Sequence, residues 1–175
     1  MMIGKRMQDA MNEQIKHELE SAYLYLAMVA YFRGEGLDGM ASWMEAQTQE
    51  EVAHAIRFFN HINERGGRVE LKGLAQPQKE WDSPLAAFEA AYEHERFITG
   101  KINELMKVAD EENDNAAKIM LQWFVSEQVE EEDSTKKVVD LLKRVGDSGH
   151  GLIMVDRELG TRKPAPTIGG EGEAE

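Results

Sequence analysis

The 175-residue sequence contains no cysteine, which excludes a disulfide framework, a zinc–thiolate site and a cysteine-held iron–sulfur cluster. Basic residues are few: 20 Lys and Arg face 33 Asp and Glu, giving a net charge of −13. Such a surface disfavours nucleic acid and anionic membranes. The longest apolar run, residues 23–32, is about half of what a bilayer-spanning helix needs. We therefore expect no nucleic-acid partner and no membrane partner.

The first residues, Met1 to Arg6, carry two basic side chains but no apolar segment of the kind that follows in a secretory signal. Together with the missing cysteines, this favours a reducing interior, and we expect a cytoplasmic location. Only four prolines interrupt the chain, which permits long helices.

Apolar residues recur in alternating steps of three and four along four long stretches, the pattern of amphipathic helices. The pattern predicts helices over residues 3–33, 38–65, 83–109 and 116–145, and a short amphipathic fifth helix over about 149–160. Ser83 followed by Pro84 is a strong helix-start signal. We expect residues 1–160 to form one domain of all-α class, a four-helix bundle with its core in residues 3–145. The Pro-, Gly- and Glu-containing tail, 161–175, is expected to be disordered.

The links between the helices predict the topology. The first and second helices, and the third and fourth, are joined by short turns and should be antiparallel. The roughly 17-residue connection between the second and third helices could reach about 55 Å when extended, enough to return along the whole bundle. We therefore expect a long crossover, with the third helix parallel to the second.

Polar residues interrupt the apolar seams of all four helices at one height. Estimated from helix length, they lie near 20 Å from one end of the bundle. A buried carboxylate costs several kcal/mol unless a cation neutralises it. The residues are Glu18, Glu51, His54, Glu95, Gln128 and Glu131.

The composition of this layer favours a pair of divalent cations. Glu51 and His54 are three residues apart and share a helix face, and Gln128 and Glu131 repeat that spacing. Four carboxylates balance the charge of two divalent ions, and one imidazole with oxygen ligands suits iron, manganese or zinc. The simpler interpretation, protonated carboxyls or a solvated face, would suffice for any single Glu but not for four at one level.

Further candidates lie beside this layer. Glu50, Glu127 and Glu130 each precede a seam residue by one position, which fits a second acidic cluster nearer the surface. The run from Glu127 to Asp133 fits a merely solvated acidic face equally well. Tyr25, one heptad after Glu18, could exchange an electron or proton with the site, or could be a packing residue with a hydroxyl partner. Two other functions fit the pattern less well: a di-iron oxidase or oxygenase acting on an organic substrate, and a metal-free acidic scaffold.

Four segments also carry a family resemblance, which extends over about residues 3–160. They are Asn12-Glu13-Gln14-Ile15 with Glu18, Gln49 to His54, Tyr92 to Glu95, and Leu121 to Glu132. With them the chain resembles the prokaryotic non-haem ferritins, whose ferritin-like bundle carries Glu on two helices and Glu-x-x-His on others.

The resemblance implies a function for each candidate residue. Glu18, Glu51 and His54 would hold one iron ion, and Glu51 would bridge to a second ion held by Glu95 and Glu131. Gln128 would lie beside the second ion. Glu50, Glu127 and Glu130 would match a third iron site, and Tyr25 and Trp123 match aromatic residues found near the centre.

The resemblance further implies a homo-oligomeric shell of 24 subunits that oxidises Fe²⁺ with O₂ or H₂O₂ and stores ferric mineral for iron storage and detoxification. Bacterioferritins are similar but have a second Glu-x-x-His, whereas this chain has Glu131 at the His position. Their haem-binding Met is replaced by Val52, so no haem is expected.

Overall fold

The computed structural model describes residues 2–162, which form five α-helices and no β-strand. The helices, all close to the predicted bounds, are α1 (Lys5–Gly34), α2 (Asp38–Glu64), α3 (Pro84–Glu111), α4 (Asn115–Val145) and α5 (Gly149–Leu159). Within the described part of the chain, no helix is both long and apolar enough to cross a membrane. Residues 163–175, most of the tail predicted to be disordered, lie outside the described residues.

Local sequence signals explain where the helices begin and end. The Ser83 hydroxyl accepts a hydrogen bond from the backbone N–H of Ala86 at 3.1 Å, as the Ser-Pro start signal predicts. The Asp114 carboxylate accepts one from the N–H of Ala117 at 3.0 Å and begins α4 in the same way. After α1 the chain turns through Gly36 at φ +72°, a conformation that glycine adopts without strain.

The predicted crossover is confirmed. The backbone N–H of Ile3, just before α1, donates to the carbonyl of Arg65, just after α2, so these two helices are antiparallel. Tyr31 near the end of α1 contacts Trp81 just before α3, with ring centroids 5.3 Å apart. The connection between α2 and α3 therefore returns along the bundle, and α3 runs parallel to α2.

Two apolar clusters fill the bundle, one toward each end. One contains Met7, Met11, Phe58 and Phe124, and the other contains Phe32 and the large residues around it. On every helix of the bundle the change from one cluster to the other falls at the predicted polar residues. The hydrophobic effect thus stabilises both ends and leaves a polar layer between them.

Helix α5 packs on the start of α2 through a close backbone approach. The Asp156 carboxylate accepts a hydrogen bond from the N–H of Met40 at 2.8 Å, which satisfies an otherwise unpaired donor in the first turn of α2. A Cβ atom on Gly39 would lie 1.7 Å from the Asp156 carbonyl oxygen, so only glycine fits there.

The change Gly39→Ala is expected to displace α5 and to lower the free energy of unfolding by about 1–3 kcal/mol, as for other overpacked sites. Thermal denaturation and limited proteolysis near residues 149–160 would measure this. Gly100→Ala is the matched control, because a Cβ there meets nothing within 4 Å and a helical Ala is favoured by up to about 1 kcal/mol. Equal stability of the two variants would contradict the packing argument.

Candidate metal centre

The six seam-breaking residues of the sequence converge in the polar layer between the two apolar clusters. Each is at most 4% exposed to solvent, although five of them are acids or a histidine. Four helices contribute to the layer: α1 one residue, α2 two, α3 one and α4 two. They are Glu18, Glu51, His54, Glu95, Gln128 and Glu131.

The first half of the centre joins α1 and α2. The His54 Nδ1 atom lies 3.4 Å from Glu51 Oε2 and 4.0 Å from Glu18 Oε2. One ligand atom from each of Glu18, Glu51 and His54 lies within 4.8 Å of the others, which is compact enough to surround a single cation. The three-residue spacing on α2 places Glu51 and His54 together, as the sequence predicts.

A second compact group of ligand atoms joins α2 and α4. One ligand atom each from His54, Glu127 and Glu131 also falls within 4.8 Å of the others. The His54 Nε2 atom lies 3.9 Å from Glu127 Oε1, so both ring nitrogens face carboxylates. Glu127 was expected in a cluster nearer the surface. Its side chain is half-buried and faces His54 instead.

Glu95 belongs to neither of these two compact groups. Its carboxylate accepts a short hydrogen bond from the hydroxyl of Tyr25 and another from Gln128 Nε2 at 3.2 Å. Gln128 also donates toward the Glu95 backbone carbonyl at 3.2 Å. The hydroxyl of Tyr25 therefore has a hydrogen-bond partner, as expected for a packing residue. That partner, Glu95, belongs to the candidate centre.

Two buried glutamines that are not among the six predicted residues also orient carboxylates. Gln14 Nε2 donates to Glu18 Oε1 at 2.8 Å, and Gln47 Nε2 donates to Glu131 Oε2 at 2.7 Å. Such hydrogen bonds fix the orientation of metal-ligating carboxylates. Like the candidate ligands, Gln14 and Gln47 are polar residues at helix positions where the sequence pattern calls for an apolar side chain.

Burial and mutual repulsion make the acids resist ionisation. Burial raises the pKa of Glu18 and of Glu51 well above the ordinary value, and neighbouring carboxylates raise both further. Burial also raises the pKa of Glu95 to about 7 and that of Glu131 to about 7. A divalent cation that binds carboxyls with raised pKa values displaces the protons they hold.

Two carboxylate oxygens of the layer, Glu18 Oε2 and Glu51 Oε2, are fully buried and have no hydrogen-bond partner among residues 2–162. Buried polar atoms are normally paired, so each requires an explanation. Both oxygens face His54. A cation bound between these three side chains would satisfy both oxygens at once, and hard oxygen donors with one imidazole suit iron.

The predicted second acidic cluster is less compact than the main centre. Glu130 is exposed, and Glu50 forms an ion pair with Arg162 at 2.6 Å. Repulsion from Glu130 and Glu50 nevertheless helps burial to raise the pKa of Glu127. The three carboxylates are thus electrostatically coupled, although only Glu127 faces His54.

A surface pocket of about 300 Å³ has His54 among its lining residues. Arg57 and Trp123 line it, with the guanidinium carbon 4.0 Å from the centroid of the indole ring. The Trp123 ring also packs edge-on against His54, with centroids 5.5 Å apart. This agrees with the expectation that Trp123 lies near the centre.

A family model described as Ferritin-like domain matches residues 8–145. The bacterial non-heme ferritin of Bacteroides fragilis is 41% identical over 161 residues, covering 92% of this chain and 100% of that protein. The bacterial non-heme ferritin of Staphylococcus aureus is 34% identical over 161 residues, covering 92% and 97%.

Solved structures give the same result. An open pore ferritin from the hyperthermophilic archaeon Archaeoglobus fulgidus superposes with a TM-score of 0.91 at 48% identity. The match covers 92% of this chain and 99% of that one. A form of the same archaeal ferritin engineered to be closed superposes with a TM-score of 0.92 at 47% identity, covering 93% and 99%.

Proposed function

Since this chain belongs to the ferritin-like family, we propose that the buried acids of its bundle bind two Fe²⁺ ions and promote their oxidation. Ferritins oxidise ferrous iron and store the ferric product inside a shell of subunits, and iron storage is the function of this chain. The observation that supports the proposed site most directly is the pair of buried, unpartnered oxygens on Glu18 and Glu51.

In this proposal Glu18, Glu51 and His54 bind the first ion, and Glu51 bridges to a second ion bound by Glu95 and Glu131. Four carboxylates then balance the charge of two Fe²⁺ ions. Gln128 keeps the Glu95 carboxylate oriented toward the second ion, as its 3.2 Å hydrogen bond to that carboxylate indicates. The hydrogen bond from Tyr25 favours the ionised form of Glu95 and so partly offsets the rise in its pKa caused by burial.

Each of the two Fe²⁺ substrate ions loses one electron. With O₂ as oxidant, two Fe²⁺, one O₂ and two protons give two Fe³⁺ and one H₂O₂. With H₂O₂ as oxidant, two Fe²⁺, one H₂O₂ and two protons give two Fe³⁺ and two waters. Anionic oxygen ligands stabilise Fe³⁺ more than Fe²⁺ by Coulomb attraction, which favours the oxidation.

Three finer features complete the proposal. Glu127, with Glu50 and Glu130, would bind a third ion on its way to the mineral, because all three are coupled beside the main centre. The homo-oligomer would be a shell of 24 subunits located in the cytoplasm. No haem is proposed, because Val52 stands where the haem-binding Met of bacterioferritins would be.

Size-exclusion chromatography combined with iron analysis tests the proposed shell. Twenty-four copies of the 19.8 kDa chain have a mass near half a megadalton. We expect a species of that mass, which after Fe²⁺ and air are supplied co-elutes with far more iron than two ions per subunit. A small species that retains only two ions would contradict storage and would favour a discrete di-iron enzyme.

A further inference from the structure

The chain segment that follows α5 returns to the acidic layer. The Arg162 Nη2 atom lies 2.6 Å from Glu50 Oε2, and the guanidinium carbon lies 4.6 Å from the centroid of the Trp43 ring. Only 24% of the Arg162 side chain and 18% of the Glu50 side chain are exposed. This ion pair joins residues 112 positions apart and is partly shielded from solvent.

Close backbone packing brings Arg162 to this position. A Cβ atom on Gly160 would lie 3.2 Å from the Gly39 Cα atom, so α5 ends directly against the start of α2. The N–H of Arg162 then donates to the carbonyl of Leu159 at 3.2 Å, which holds Arg162 close to the end of α5. Trp43 and Glu50 are two turns apart on one face of α2, so the guanidinium can contact both.

The guanidinium is not fully satisfied where it lies. The Nη1 atom of Arg162 is buried and has no hydrogen-bond partner within the described residues 2–162. A buried donor without a partner costs free energy, which it recovers when it returns to water. Moving Arg162 away from Glu50 therefore costs less free energy than breaking an ion pair in which every guanidinium N–H has a partner.

We propose that Arg162 is a positioning residue that pairs with Glu50 in the metal-free protein and competes with the cation that binds Glu50 and Glu127. The inference rests on the proposed function and adds to it a competitor for the binding of the third ion. A cation that binds Glu50 must compete with the guanidinium, which pairs with Oε2 of that carboxylate. Arg162 thereby keeps affinity for the third ion below that for the first two, which favours onward transfer of iron.

Anaerobic Fe²⁺ titration calorimetry of the metal-free full-length protein tests this inference. In Arg162→Gln the third ion per subunit is expected to bind about tenfold more tightly, a change of about 1.4 kcal/mol, whereas the first two ions bind as in the unsubstituted protein. Arg162→Lys keeps the charge and should restore weak binding of the third ion. Arg33→Gln is the matched control, because it breaks an exposed Arg–Glu pair between α1 and α2 outside the centre.

A double-substitution cycle separates competition from a structural effect. In Glu50→Gln the third ion should bind weakly, and adding Arg162→Gln should then change nothing, because the shared partner is gone. Unchanged or weaker binding of the third ion in Arg162→Gln would overturn the inference. Fewer than two Fe²⁺ ions per subunit in the unsubstituted protein would instead overturn the proposed function. Circular dichroism of each variant identifies any loss of fold.

Discussion

Replacing Glu51 with glutamine is expected to slow the initial rate of Fe²⁺ oxidation by at least about 100-fold. Even a residue that only hydrogen-bonds to a metal ligand typically changes metal affinity or activity by about 10–100-fold when it is replaced. Among the carboxylates that face the His54 ring, Glu51 lies closest, at 3.4 Å, and repulsion from Glu95 and Glu131 adds to the effect of burial in raising its pKa. The amide has nearly the same shape but carries no charge. Loss of rate would therefore report loss of the ligand rather than of packing.

Growth of the ferric ultraviolet absorbance after Fe²⁺ and air are mixed measures this rate. Glu64→Gln is the control, because Glu64 is exposed on the same helix and lies outside the polar layer. Its rate should equal that of the unsubstituted protein. Oxidation by Glu51→Gln at an unchanged initial rate would refute the assignment of the centre.

The second large effect concerns stability without metal. In the metal-free protein, the change of both Glu95 and Glu131 to glutamine is expected to raise the free energy of unfolding at pH 8 by a few kcal/mol, or roughly 10 °C in Tm. These carboxylates have a pKa of about 7 in the folded protein, against an ordinary value of 4.5. Charging them inside the bundle is unfavourable.

The sign of the pH dependence follows from this difference. Between about pH 4.5 and 7 the folded state binds more protons than the unfolded state at these two groups, so their contribution to stability falls as pH rises. Above pH 7 the loss is complete. The stability gap between the double variant and the unsubstituted protein should therefore widen from pH 4.5 to 7 and then level off.

Comparing the double variant with the unsubstituted protein cancels the opposite pH dependence of stability that histidine contributes. Burial lowers the pKa of His94 to about 4, which stabilises the folded state as pH rises toward 6.5, but it does so in both proteins. Thermal scans from pH 5 to 8 measure the gap. Saturating Zn²⁺, which is not oxidised, should stabilise only the unsubstituted protein strongly. A gap that is independent of pH would contradict the raised pKa values.

Residues whose position follows from the periodicity of a helix could be predicted from the sequence. The α-helix repeats every 3.6 residues, so a polar residue on an apolar seam must face the interior of a bundle. This placed Glu51 beside His54 and Gln128 beside Glu131. Helix length together with the long crossover put Glu18 and Glu95 at the same height. Ser83 and Pro84 predicted the start of α3 from local chemistry alone.

Contacts between distant parts of the chain could not be predicted in this way. Helical phase does not specify which hydroxyl meets which carboxylate, so the hydrogen bond from Tyr25 to Glu95 required the packing of α1 against α3. The rotation of Glu127 toward His54 likewise depends on how α4 packs against α2.

The sequence by itself determined the five helices, their topology and the buried layer of acids, because these depend on periodicity, link length and the cost of burying charge. Only the tertiary structure decided that Arg162, at the start of the tail expected to be disordered, pairs with Glu50. The reason is physical: that contact spans 112 residues and depends on the close approach of Gly39 to Gly160, for which no local pattern in the sequence provides a signal.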